Sequence, residues 1–198
     1  NVRYLTGFTG SAGSVLILDN EQHFFTDGRY IEQSKEQVKN CQVHIVGSAH
    51  IKAIEKNNLL INNMKIGFES TSVSVAMYEH FSSILSNVQW IKTAGIVEEI
   101  AAVKDLLEIE SLKTAIEITD EVFTQILPEL KEGAVEKEIS AKISYLFKMN
   151  GAEGDSYESI IAGGPRSALP HARPTDRKFQ QGDFIVMDFG ALYNGYHA

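Results

Sequence analysis

Residues 105–151, DLLEIESLKTAIEITDEVFTQILPELKEGAVEKEISAKISYLFKMNG, decide how this chain is organised. Asp105 followed three residues later by Glu108 is a capping-box pattern. Behind it, Ile109, Leu112, Ile116, Phe123 and Ile126 recur at helical intervals and predict a long amphipathic helix. Pro128 stops or bends that helix, because proline has no N–H to donate and its ring clashes with the preceding turn. Gly133 precedes a second helix with the stripe Val135, Ile139, Ile143, Leu146 and Phe147, closed by Asn150-Gly151.

On either side of this helical pair the pattern changes. Toward the N-terminus, strand-like and helix-like segments alternate. Ser14–Asp19 and His23–Thr26 read as strands joined by a hairpin connection, Arg29–Val38 as a polar helix and Gln42–Val46 as a strand. Residues 49–57 read as a helix, Lys65–Phe68 as a strand, Val75–Leu85 as a helix, and Val88–Ile91 as a strand carrying the single tryptophan, Trp90. This is the signature of an α/β layer with a mixed sheet. Toward the C-terminus, extended segments with turn signals follow Gly151. All four prolines (Pro128, Pro165, Pro170 and Pro174) fall after residue 127, so two architectures in series are expected, with the seam in Glu98–Asp105.

Composition excludes several classes. With 18 Lys+Arg against 26 Asp+Glu, the 198-residue chain carries a net charge of −8 and has no basic cluster of the kind that neutralises phosphates, so nucleic acid is not the expected partner. Neither a bilayer-spanning apolar run nor a signal-peptide pattern is visible, so no membrane partner is expected. The lone Cys41 rules out an intrachain disulfide and any multi-cysteine metal site, and fits a reducing, cytoplasmic compartment. The chain starts at Asn1 and is expected to be cut at its front end.

Few residues stand out as candidates for chemistry. Gly7, Gly10 and Gly13 lack the Lys-Ser/Thr and following helix of a phosphate loop, which leaves tight turns or close backbone approach. Asp27 precedes Gly28-Arg29-Tyr30 as a cap would, and Arg29 is of a type either to face a ligand carboxylate or to sit in a salt bridge. His23, His44, His50 and His80 have no acidic or histidine neighbours at ligand spacing, so ordinary structural roles are the default. His171 lies in a loop stiffened by Pro165, Pro170 and Pro174. Asp188 interrupts the apolar strand FIVMDFG and must be paired, bind a cation or cap the turn at Gly190. One carboxylate cannot by itself make a hard-cation site.

Taken together, NVRYLTGFTGSAG, TDGRY, KIGFE and GDSYESIIAGGPRSALPHARPTDRKFQQGDFIVMDFGALYNGYHA resemble the proline-specific metallopeptidases of the creatinase or "pita-bread" superfamily, the Xaa-Pro aminopeptidases and prolidases. The resemblance implies an α/β (α+β) fold, with a creatinase-like N-terminal domain over 1–103 and the first part of a pita-bread catalytic domain over 104–198. It implies a metal-dependent peptidase acting on proline-containing peptides, using two divalent ions, commonly manganese or cobalt, and forming a homodimer. In such enzymes the ions are held by two aspartates, one histidine and two glutamates. Asp188 matches the first aspartate, and the second is expected one position past Ala198, with the other ligands later still. His171 matches a histidine that donates a hydrogen bond to the oxyanion. Arg29 and Tyr30 are carried as candidate substrate-binding residues of the N-terminal domain. The expectation is therefore that the 198 residues hold no metal and are inactive as they stand. The alternative is a dimerisation or peptide-binding module, or a metal-independent creatinase-like homologue.

Overall fold

The structure, a computed structural model, describes residues 1–47 and 49–198 and divides into two units, 1–103 and 104–198. In the first unit, α1 (Val2–Thr6) ends at Gly7, whose φ of 78° closes the helix in the left-handed region that glycine tolerates. Strands β1 (Ser14–Ile17) and β2 (Gln22–Thr26) pair antiparallel, and β3 (Gln42–Ile45) joins β2 in parallel after the crossover through α2 (Ile31–Gln37). After α3 (His50–Lys56), a second parallel pair forms from β4 (Lys65–Glu69) and β5 (Gln89–Thr93), linked through α4 (Val75–Ile84). A parallel pair needs such a crossover, and the helix supplies it.

Leu16 of β1 and Phe25 of β2 share one core with Ile51 and Ala53 of α3 and with Leu60, Leu85 and Val88. Phe24 and Phe25 are fully buried. Each such ring stabilises the fold by about 2–3 kcal/mol relative to leaving it in water. The mixed sheet agrees with the sequence reading, and α5 (Ile96–Ala102) runs into the Glu98–Asp105 seam. Ile96-Val97-Glu98-Glu99-Ile100-Ala101-Ala102 contains neither glycine nor proline to break a helix.

The second unit opens on α6 (Leu106–Ile126). Its capping box is complete: the Asp105 carboxylate accepts from the Glu108 N–H at 2.9 Å, and the Glu108 carboxylate accepts from the Asp105 N–H at 2.8 Å. Pro128 sits in a short 3₁₀ turn that ends the helix. The buried face differs from the expected stripe. Ser111, Ala115, Ile118, Val122 and Ile126 are buried, whereas Ile116 is 50% and Phe123 43% exposed. The small residues Ser111 and Ala115 let the strands that follow approach closely, and a reading by hydrophobicity ranks them below Ile and Phe.

Those strands are β6 (Gly154–Asp155), β9 (Ala191–Tyr193) and β10 (Tyr196–His197), with β9 in the centre. Asn194 and Gly195, both at positive φ, turn the β9–β10 hairpin, as an Asn-Gly pair favours. The hairpin is bonded to α6 at three levels: the Tyr196 hydroxyl donates to Glu108, the Asn194 amide to Ser111, and the Ala191 N–H to the Thr119 hydroxyl. Helix α7 (Glu136–Met149) buries Ile139, Ile143 and Phe147 against Ile118, Val122, Ile161 and Phe179. Finally β7 (Ile160–Gly163) and β8 (Ile185–Asp188) form an antiparallel pair in which Ile160 faces Asp188 and Gly163 faces Ile185.

Candidate active site

Leu169-Pro170-His171-Ala172 is held as a turn by the bonds Leu169 N–H to Arg166 O at 3.0 Å and Ala172 N–H to Leu169 O at 3.2 Å. Prolines 165, 170 and 174 stiffen the segment by fixing φ. Ala172 is buried and His171 exposed, so the turn is anchored by its methyl neighbour while the imidazole reaches solvent. His171 lines a hollow of about 180 Å³ with Glu158, Ser159, Ile160, Ala172 and Arg173, and an Arg173–Glu158 ion pair at 3.2 Å lies beside it. Ile160, on the floor of that hollow, is the register partner of Asp188. Asp188 thus lies across the β7–β8 pair from a residue that lines the same hollow as His171.

Asp188 is exposed, not buried as its apolar strand suggested. Ile185 and Met187 pack against the core, so the alternation of the strand turns Val186 and Asp188 the other way. One Asp188 oxygen accepts a hydrogen bond from the Tyr157 hydroxyl at 2.5 Å. Partial burial, with the Asp188 carboxylate next to it, pushes the Tyr157 phenol up to about 12, so it stays a donor at neutral pH.

Beneath the His171 loop lies Glu136, whose side chain is fully buried. One carboxylate oxygen accepts from the Gly163 N–H at 2.9 Å. The other accepts from the Thr175 N–H at 2.9 Å, the Thr175 hydroxyl at 2.6 Å and Arg166 Nε at 3.2 Å. Burial pushes the Glu136 carboxyl up, but the bonds from Thr175 and Gly163, with Arg166 beside them, more than reverse this and hold it below the usual range. The sequence reading missed Glu136. Its signal was a glutamate three residues before Ile139, on the same stripe as Ile143 and Phe147. Gly164 is also required here: with φ at 54°, a β-carbon would fall 2.4 Å from Arg177 and 2.5 Å from Asp183, which form an ion pair at 2.7 Å.

Arg29 and Tyr30 lie in the first unit and make their contacts there. Asp27 caps the turn by accepting from the Arg29 N–H, and it binds the Arg29 guanidinium through both oxygens at 2.9 and 2.8 Å. That guanidinium brings the Asp27 carboxyl down to about 2. Arg29 also lies over the Tyr30 ring at 5.2 Å, and the Tyr30 hydroxyl meets Ser11 Oγ at 2.7 Å. Gly10 permits this packing, since a β-carbon there would fall 2.3 Å from the Phe8 ring. The glycine segment is thus a site of close approach. The histidines show what spacing conceals: His23 and His44 sit 21 residues apart, yet parallel pairing of β2 with β3 places Nδ1 of one 3.0 Å from Nε2 of the other.

Among the described residues, no group of three or more His, Cys, Asp or Glu side chains is arranged to hold a metal ion, and no helix is long and apolar enough to cross a membrane.

Comparison with known proteins agrees along the whole chain. Residues 1–103 match the Creatinase/Prolidase N-terminal domain, and residues 110–198 match Metallopeptidase family M24. The Xaa-Pro dipeptidase of Pyrococcus furiosus is 35% identical over 100% of this chain and 56% of its own length, and an uncharacterized peptidase of Bacillus subtilis is 36% identical over 99% and 56%. Among solved structures, the X-Pro aminopeptidase of Thermotoga maritima superposes with a TM-score of 0.92 at 38% identity, covering 99% of this chain and 56% of that one. The Xaa-Pro dipeptidase of Bacillus anthracis gives 0.91 at 34%, covering 99% and 55%. The chain therefore spans about half the length of the curated relatives it matches. With a creatinase/prolidase N-terminal domain followed by an M24 segment, it belongs to the creatinase/prolidase group of metallopeptidases.

Proposed function

We propose that this chain is the N-terminal domain and opening catalytic segment of a metal-dependent peptidase that hydrolyses Xaa-Pro bonds, as an aminopeptidase or a dipeptidase. The observation that supports the reading is that Ile160, the β7–β8 register partner of Asp188, lines the same solvent-open hollow as His171. His171 is the donor to the scissile carbonyl oxygen as negative charge develops on it. A preorganised donor of this kind contributes about 3–4 kcal/mol of transition-state stabilisation. Asp188, exposed and turned outward, would supply one carboxylate to a metal centre completed by further ligands, with the Tyr157 hydroxyl orienting it. Specificity follows from accepting a tertiary amide, which has no N–H to offer.

M24 membership implies divalent metal ions, but the donors within these 198 residues do not fit a two-ion centre. Among the described residues, Asp188 has the Tyr157 hydroxyl as a hydrogen-bond partner and belongs to no group of three or more His, Cys, Asp or Glu side chains arranged to hold a metal ion. The 198-residue chain is therefore proposed to be inactive by itself. The complete enzyme is proposed to use manganese or cobalt, to act as a homodimer in the cytoplasm, and to draw on Arg29 and Tyr30 for substrate binding. The test assays dipeptide Xaa-Pro and longer Xaa-Pro-Yaa substrates with the longer polypeptide and with residues 1–198, each with and without manganese. Metal-dependent cleavage by the longer polypeptide alone is expected. Cleavage by residues 1–198, or metal-independent cleavage by the longer polypeptide, contradicts the proposal.

A further inference from the structure

The Glu136 carboxylate bonds to both ends of the segment that carries His171. Gly163 enters the loop and Thr175 leaves it, and one buried side chain accepts hydrogen bonds from both backbones. Another bond runs to Arg166, whose Nη2 donates to the Arg173 carbonyl at 2.6 Å, across the loop from one side of His171 to the other. The backbone of α7 adds to this platform: the Glu136 N–H donates to Arg177 O, and the Lys137 N–H to Thr175 O. His171 itself is exposed, so its own packing does not fix its direction. The loop backbone must do so, and the loop is closed through Glu136.

We infer that Glu136 is a positioning residue for His171, setting the height and direction of the imidazole through the closed 163–175 loop without touching substrate. The inference rests on the role assigned to His171 above. A misplacement of about 1 Å in such a donor costs on the order of 10²-fold in rate, and kcat is the quantity affected when an interaction belongs to the transition state.

The test has two arms. In residues 1–198, hydrogen exchange is followed at Leu169 and Ala172, amides that bond to Arg166 and Leu169 rather than to Glu136. Glu136→Gln is expected to raise their exchange about ten-fold and to leave Ile143 and Phe147 in α7 unchanged. Should Glu136→Gln fail to fold, Thr175→Val removes one hydroxyl donor, keeps the carboxylate, and is expected to raise the same amides by a smaller factor. Unchanged Leu169 and Ala172 exchange in a folded variant overturns the inference.

In the manganese-loaded longer enzyme, a double-mutant cycle combines Glu136→Gln with His171→Ala. Glu136→Gln is expected to lower kcat by about ten-fold or more at constant KM, and to lower it by less than about two-fold when His171 is already alanine. Full multiplication of the two effects overturns the role of Glu136 while leaving His171 in place. Unchanged kcat in His171→Ala overturns the assignment of His171 itself, a result the exchange arm does not depend on.

Discussion

Thr119→Val isolates one hydrogen bond. The Thr119 hydroxyl accepts from the Ala191 N–H at 3.0 Å and donates to the Ala115 carbonyl at 2.9 Å. Ala191 is fully buried, opens β9, and lies three residues after Asp188. Valine keeps the shape and the β-branch, so no cavity forms. What changes is that a buried backbone N–H loses its acceptor, at about 1–3 kcal/mol. The bond to Ala115 adds little, because a hydroxyl bonding back along its own helix does not stabilise it. The expected loss is about 2 kcal/mol, a factor of about 30 in the opening equilibrium. Thr124→Val is the control: it is exposed, bonds back to Asp120 alone among the described residues, and is expected to change stability by less than about 0.5 kcal/mol. Trp90 belongs to the first unit, so the readout is taken within residues 104–198 instead. The assay is hydrogen exchange at Ile143 and Phe147 under conditions where exchange follows unfolding of residues 104–198. Equal protection in the two variants refutes the argument that α6 holds β9 through Thr119.

Gly10→Ala places a methyl 2.3 Å from the Phe8 ring and 2.8 Å from the Tyr30 ring. Overpacking of this kind is expected to destabilise the first unit by about 1–3 kcal/mol, read by Trp90 fluorescence in urea, and an unchanged midpoint refutes the close-approach reading. Burial holds His44 and His50 below the usual histidine value of 6.5, and His23 beside His44 adds to the effect there. The unfolded chain then binds protons that the folded unit refuses, so stability is full above about pH 6.5 and falls as the pH drops below it. His44→Gln is expected to flatten that decline in urea titrations between neutral and acid pH, and an unaltered slope counts against the partly buried His44 as its source.

Much of the fold was legible because helix and strand periods leave different marks. Asp105 and Glu108 announced α6, and Asn150-Gly151 announced the end of α7. What escaped depended on partners distant in sequence. The buried face of α6 is chosen by the strand that lands on Ser111 and Ala115, and helical spacing favours the bulkier Ile116 and Phe123. Asp188 read as a buried carboxylate because its neighbours are apolar, whereas the β7–β8 pairing turns it outward. His23 and His44 meet through parallel pairing that no local pattern records. Glu136 was the costliest omission, since a charged residue on a helix is ordinarily solvated; the donors that justify its burial lie 27 to 39 residues away.

The claim that His171 acts on an Xaa-Pro bond is tested most directly by turnover of an Xaa-Pro dipeptide against its Xaa-Ala counterpart, using the manganese-loaded longer enzyme with and without His171→Ala. The account predicts strong preference for Xaa-Pro and a kcat lowered about 10²–10³-fold by His171→Ala at little change in KM. Equal turnover of the two dipeptides, or an undiminished kcat in the variant, contradicts it.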